Sequence, residues 1–207
     1  MSVQEAYNHW SSSYDTDENL TRDLDQAVTR AILAGSQCQS ILEIGCGTGK
    51  NSAFLSQIGD WVRALDFSEG MLMRAKEKLK SDNVIFLVAD IIKQWPYIDE
   101  CADLVVCNLV LEHIEDLSFV FSEAFRSLNE GGRFFFCELH PFRQYQGTKA
   151  RFQRNQETME IQAFVHHISD YLETAEKVGL TLKGFKEWWH EEDQDKPPRL
   201  VSFIFEK

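Results

Sequence analysis

An α/β fold is predicted by this sequence, with a mostly parallel sheet carrying helices on both faces, and three observations support it. Short apolar runs of strand length alternate along the chain with stretches whose apolar residues recur at helical spacing. The first run, Ile41-Leu42-Glu43-Ile44, stops at three glycines on alternate positions, Gly45, Gly47 and Gly49. An amphipathic stretch with Ala53, Phe54 and Leu55 as its apolar side follows at once. Polar residues then close later runs, at Asp66, Asp90 and Asn108. In a parallel sheet those positions share one edge with the glycines, and that edge is where such sheets bind ligands.

Taken in order, the chain begins with two helical patterns. Ala6, Trp10 and Tyr14 form one, and Leu20, Leu24, Ala27, Val28, Ala31 and Ile32 form a second that Gly35 closes. After the glycine turn, Trp61-Val62-Arg63-Ala64-Leu65 reads as a second strand ending at Asp66. Ser68-Glu69 then opens a helix to about Leu79. Val84 to Val88 is a third strand and Ala102 to Cys107 a fourth. Asp116-Leu117-Ser118 starts a helix through Leu128, which Asn129-Glu130-Gly131-Gly132 stops. Arg133 to Glu138 is the fifth strand. Tyr171 to Lys177 is the last helix, capped by Ser169-Asp170 and stopped by Gly179. Two further strands, Leu180 to Trp189 and Leu200 to Phe205, bring the count to seven. The acidic loop between them, Glu191 to Pro198, reads as a solvated turn.

A chain of 207 residues with 43% hydrophobic and 26% charged content fits one soluble domain, 1–207. A net charge of −12 argues against nucleic acid or an anionic membrane as partner. The five cysteines form no C-x-x-C pair, so neither a disulfide framework nor a metal site is expected. The opening MSVQEAYNHW has no basic start or apolar stretch, and no run of about 18 apolar residues occurs. A cytoplasmic location is therefore expected.

Strand, glycine turn and helix together bring backbone N–H groups close to a ligand. The dinucleotide fingerprint G-x-G-x-x-G does not fit, because the third glycine comes one position early and Lys50 takes the sixth place. Nor is there a G-K-[ST] for a P-loop. The pattern apolar-acidic-apolar-G-x-G-x-G instead resembles the class I S-adenosylmethionine-dependent methyltransferases, with further resemblance in the helix ending L-x-x-G-G before the fifth strand. The resemblance implies a Rossmann-like seven-stranded sheet with an antiparallel last strand, and S-adenosyl-L-methionine as cofactor. It also implies a division into an N-terminal helical lid (1–39), a cofactor-binding core (40–139), a substrate-cap segment (140–168) and a C-terminal helix with the last strands (169–207).

Residue roles follow from the matching motifs. Glu43, Gly45, Cys46, Gly47 and Gly49 would form the loop at the methionine part of the cofactor. Asp66, 21 positions after Gly45, would hold both ribose hydroxyls, since an ionised carboxylate offers two acceptors and no donor. A charge at the N-terminus of the following helix is the competing account. Phe67 and Met71 would flank the adenine, although a Met at helical spacing is more often core, with Asp90 and Ile91 at its polar edge, a loop Asp capping the next turn being the competing account. Asn108 and Leu109 would border the methionine part, and His113, packed inside, would be a structural or acceptor-adjacent residue rather than a base. Tyr14-Asp15 matches the aromatic segment that covers the cofactor in this family, core packing being the alternative for Tyr7, Trp10 and Tyr14.

The stretch His140 to Gln156 concentrates Arg143, Lys149, Arg151 and Arg154 among aromatic residues in an otherwise acidic chain. Lying over the active site, it would select an anionic small-molecule acceptor, with Arg143 as first contact. As a solvated loop it would only pair with acidic surface. His140 is the candidate base if the acceptor must lose a proton. The reaction expected is methyl transfer to an O, N or C nucleophile. A non-catalytic cofactor-binding module is the rival reading, and a nicotinamide-dependent oxidoreductase, disfavoured by the glycine spacing, is a further one.

Overall fold

The computed structural model describes residues 1–97, 99–154 and 157–207, with Arg154 described by its backbone alone. Seven strands form one sheet: β1 (Cys38–Ile44), β2 (Gly59–Asp66), β3 (Val84–Val88), β4 (Ala102–Asn108), β5 (Leu128–Leu139), β8 (Thr181–Trp188) and β9 (Leu200–Glu206). Their order is β3-β2-β1-β4-β5-β9-β8. The pairs β1–β2, β1–β4, β2–β3 and β4–β5 are parallel, and β9 runs antiparallel to both β5 and β8. The chain thus leaves β1 in one direction to β2 and β3, then returns to the other side for β4. A crevice opens at that switch, beyond the carboxyl ends of β1 and β4.

Period-two alternation divides the sheet's side chains between two cores. Leu42, Ile44, Val105, Cys107, Phe134 and Phe136 face helices α5 (Ser118–Ser127) and α7 (Ile168–Val178). Ile41, Val62, Leu104, Val106, Phe135 and Cys137 face Val28 and Leu33 of α2 (Leu20–Leu33) and Leu55 of α3 (Ser52–Ile58). Central strands are apolar on both faces for this reason, whereas edge strand β3 buries Phe86 alone. Phe86 meets Leu72 and Ala75 of α4 (Glu69–Lys78).

Helix ends follow local chemistry. Ser2 caps α1 (Val3–Trp10) in a reciprocal box with Glu5, and Asn19 accepts from the Thr21 and Arg22 N–H groups at the start of α2. The last helix starts earlier than its sequence suggests. Its cap is His167 rather than Ser169-Asp170, because Asp170 sits one turn in and accepts the His167 N–H at 2.8 Å. Strand β5 starts at Leu128, and its pairing with β4 jumps between Leu128 and Arg133, so the Asn129–Gly132 turn is a bulge inside the strand.

The stretch after β5 holds a short helix, α6 (Pro141–Tyr145), and a hairpin of β6 (Arg151–Arg154) with β7 (Glu157–Glu160), neither of which the sequence suggested. Asn155, Gln156 and the Arg154 side chain, which closed the basic stretch, lie outside the described residues. Hairpin and N-terminal helix meet in a separate cluster, where Phe152 stacks on Trp10 at 5.6 Å beside Ala6, Met71 and Ile161. No helix among the described residues is long and apolar enough to cross a membrane.

Candidate functional site

A cavity of about 350 Å³ occupies the crevice at the strand ends. Gly45 and Gly47 from the turn after β1 line it, with Asp66 and Phe67 from the end of β2 and Met71 from α4. Asp90 and Ile91 come from the end of β3, and Asn108, Leu109 and His113 from the end of β4 and the turn beyond it. Tyr7 of α1 and Tyr14 close it from above. The sequence therefore assigned to this edge residues that five separate stretches bring together.

Gly47 has φ +53°, and a Cβ added there would meet nothing within 4 Å, so its backbone faces open space. At Gly45 the same atom would come within 2.2 Å of Val110 Cγ2, which makes that glycine a packing requirement as well. Glu43, Cys46 and Gly49 stay behind the wall. Cys46 donates its N–H to Leu65 O at 2.9 Å, and Gly49 lies against Ala75 and Phe86. Glu43 accepts from the Ser52 hydroxyl at 2.5 Å, and burial pushes its carboxyl up to about 8.

Asp66 accepts from Gly47 N through Oδ2 and from Ser68 N through Oδ1, both at 2.8 Å. Burial raises its carboxyl to about 6, against those backbone donors. An ionised carboxylate has more acceptor sites than these two bonds use, and Asp66 lines the cavity. Asp90 lies at the rim, ion-paired with Lys93 at 3.1 Å. Asn108 donates to Asp25 at 2.8 Å and to Thr29 at 2.6 Å, which leaves its buried Oδ1 without a partner among the described residues. Asp25 also takes the Asn51 amide at 3.0 Å, and burial holds its carboxyl at about 6.

Such a glycine turn, ringed by carboxylates at successive strand ends, has known counterparts. A family model described as a methyltransferase domain matches residues 42–136. A demethylmenaquinone methyltransferase of Clavibacter sepedonicus is 34% identical over 144 residues, covering 66% of this chain and 58% of its own length. Residues 42–136 thus form a methyltransferase-family domain. A malonyl-[acyl-carrier protein] O-methyltransferase of Salmonella typhimurium is 27% identical over 190 residues, 92% of this chain and 70% of that protein. The fold matches the N-methyltransferase NodS of Bradyrhizobium japonicum WM9, solved with S-adenosyl-l-homocysteine. The TM-score is 0.76 over 100% of this chain and 99% of that one, at 16% identity.

For a methyltransferase, two of the residues expected at the acceptor lie elsewhere. His140 is buried outside the cavity, with Nε2 on Glu187 Oε1 at 2.9 Å and Nδ1 accepting the Phe142 N–H at 3.2 Å. These bonds assign the neutral Nε2–H tautomer and leave no nitrogen free for a proton from an acceptor. Burial also lowers its pKa, against the pull of Glu187. Arg143 is likewise buried, its guanidinium 2.8 Å from Asp193. Asp193 is 1% exposed and also binds Arg199 at 2.6 Å through both oxygens, so this member of the acidic loop is drawn out of solvent while Glu191, Glu192, Gln194 and Asp195 stay exposed. Against burial, the bonds from Arg199, the His190 N–H and Arg143 hold the Asp193 carboxyl at about 2. Two arginines, Arg199 just before β9 and Arg143 of α6, pull it inward.

His113 does face the cavity. Its Nδ1 meets the Gln162 carbonyl at 2.7 Å and its Nε2 meets the Tyr7 hydroxyl at 2.8 Å, so Nδ1 carries the proton and Tyr7 donates to Nε2. Asp15, next to Tyr14, accepts from Thr48 of the glycine turn and pairs with Lys78, both at 2.7 Å. Asp25 escaped the sequence reading. Its signal was a polar row at helical spacing, Arg22, Asp25 and Thr29, all three buried on α2.

Proposed function

We propose that the protein transfers a methyl group from S-adenosylmethionine to an O, N or C nucleophile of a small molecule. The observation that carries this reading is the open backbone at Gly47 facing a cavity that Asp66, Asp90 and Asn108 line. A ligand with a polar amino-acid end, two hydroxyls and an aromatic base has the groups these residues lack. Gly45, Gly47, Asn108 and Leu109 would hold its methionine part, and Asp66 its ribose. Asp90 and Ile91 would meet the adenine edge, with Phe67 and Met71 on the ring. Glu43, Cys46 and Gly49 would keep the turn in shape, and Tyr14 would cover it as part of a lid formed by the N-terminal segment.

When bound, the cofactor supplies a methyl group already activated on a sulfonium. The chain then needs to orient the acceptor and exclude water, which together account for much of such a rate. Tyr7 and His113 would form the wall between cofactor and acceptor. The chain spans 58% of the first relative and 70% of the second, so their named substrates, demethylmenaquinone and malonyl-[acyl-carrier protein], are candidate acceptor types only. Methyl-labelled cofactor incubated with a panel of carboxylates, amines, phenols and quinols tests the activity. Calorimetry with S-adenosylhomocysteine tests the site. Tight binding without transfer to any class would favour a binding module, and no binding would refute the reading.

A further inference from the structure

A second, smaller void of about 60 Å³ adjoins the large cavity and shares Tyr7, Tyr14 and Leu109 with it. On the void's scale a water occupies roughly 10–15 Å³, so the space takes about four to six heavy atoms. Its remaining wall includes Arg22 of α2, Glu112 beyond β4, and Thr148 and Lys149 after α6.

Arg22 is unusual. It is 8% exposed, and it donates to the carbonyls of Tyr14 and of Asp17, the latter at 2.7 Å. Its Nε has no partner, and among the described residues no carboxylate lies within ion-pair distance of it. The guanidinium lies 4.0 Å from the Tyr14 ring centre and 5.3 Å from that of Trp10. Carbonyl dipoles and ring faces offset only part of the cost of burying a cation, and an anion would offset the rest. Opposite stands Glu112, 5% exposed, whose one side-chain hydrogen bond among the described residues is a long one, 3.4 Å from Gln144. Its Oε1 reaches no closer than 3.9 Å to His113 Nε2. Arg22 and Glu112 line one void without pairing to each other. Lys149 is already paired with Glu160 at 3.3 Å.

We infer that this void is the acceptor subsite, with Arg22 holding an anionic group and Glu112 accepting a hydrogen bond from the nucleophile's N–H or O–H. The substrate class is a compact amino- or hydroxy-carboxylate, or that reacting end of a longer molecule. The inference rests on the methyltransferase reading and moves the anion contact from the neutralised Arg143 to Arg22. The shared walls put the nucleophile beside the cavity proposed for the cofactor.

The probes are glycolate, glycine and neutral ethylene glycol, titrated by ligand-observed NMR into protein saturated with S-adenosylhomocysteine. Glycolate and glycine should bind at least tenfold more tightly than ethylene glycol. Arg22→Met should abolish that preference and leave S-adenosylhomocysteine affinity within twofold. Glu112→Gln, close in shape, should weaken glycine more than glycolate, because it removes the charge facing the ammonium. Equal binding of charged and neutral probes by the wild type, or none by any probe, overturns the inference without recourse to a variant. A tenfold loss of S-adenosylhomocysteine affinity in Arg22→Met overturns it too, since the arginine would then serve the cofactor. Equal losses of glycine and glycolate in Glu112→Gln overturn that residue's part. Should S-adenosylhomocysteine itself not bind, the methyltransferase reading fails, and the probe comparison on unliganded protein still judges the void.

Discussion

Replacing Asp66 by Asn changes one atom of the proposed ribose site, and the structure gives its magnitude. In the wild type the two carboxylate oxygens take one backbone N–H each, from Gly47 and Ser68 at 2.8 Å. An amide has one oxygen, so one of those donors would face an NH₂, at about 1–3 kcal/mol for a buried unsatisfied group. Against this, the folded carboxyl sits at about 6 where the ordinary value is 3.8, roughly 3 kcal/mol of charge burial that the neutral amide relieves. Stability at pH 7.5 should therefore stay within about 2 kcal/mol of wild type. Ligand affinity should not, because losing charge-assisted bonds to the ribose costs on the order of 1.5–3 kcal/mol, ten- to a hundred-fold in Kd.

The pH dependence has a definite sign. A carboxyl raised in the fold contributes stability that is present below about 4 and lost as pH rises through about 6. Ribose hydroxyls would favour the ionised form, so S-adenosylhomocysteine affinity should rise with pH up to about 7 and then level. Asp66→Asn should abolish that slope. Calorimetry between pH 5 and 8 reads both effects. A Kd within threefold of wild type for a folded Asp66→Asn protein would refute the ribose assignment.

Gly47→Val should abolish S-adenosylhomocysteine binding while the protein stays folded, at about 1–2 kcal/mol of backbone strain from φ +53°; Gly45→Val should instead unfold it through Val110, and circular dichroism separates the two. Glu138, fully buried, accepts from Val110 and Leu111 N–H groups at 3.0 Å, and burial raises its carboxyl to about 8. Stability carried by its protonated form is complete below about 4.5 and gone above about 8, so Glu138→Gln should flatten the fall of Tm between about pH 4.5 and 8. Asp193→Asn should leave buried Arg143 and partly buried Arg199 without a counter-charge and cost about 3–5 kcal/mol, read as a lower urea midpoint. A midpoint shift under about 1 kcal/mol would show that the three-way pair contributes little.

Fold and cavity were legible to different depths. Strand runs, the glycine turn and strand-end polar residues are local signals, and a parallel sheet gathers them at one edge whatever the loops do. Chain position misled at His140 and Arg143. Both follow the strand that ends beside the site, but their partners, Glu187 and Asp193, come from a distant hairpin that no local pattern announces. The run Glu191 to Asp195 reads as solvated charge until two arginines are seen to converge on one member of it. Arg22 and Asp25 went unnoticed because a polar row on a helix ordinarily faces water. Here it faces the glycine turn, and Asp25 meets Asn51 and Asn108 there.

Helix α1 lies across the cavity's mouth, away from either core of the sheet. Gln4 donates to Phe67 O at 2.6 Å, and Asn8 accepts from Ser68 Oγ at 2.7 Å and Gly70 N at 3.0 Å. The aromatic cluster with Phe152 adds to these bonds, as do Tyr7 on His113 and Asp15 on Thr48 and Lys78. None of them belongs to the sheet's ladder, so the amides of residues 3–17 should exchange with deuterium sooner than those of β1 or β4. For a product held beneath this segment, residence time, and with it the ceiling on turnover, would follow the opening frequency of the first helix rather than the strength of contacts inside the cavity.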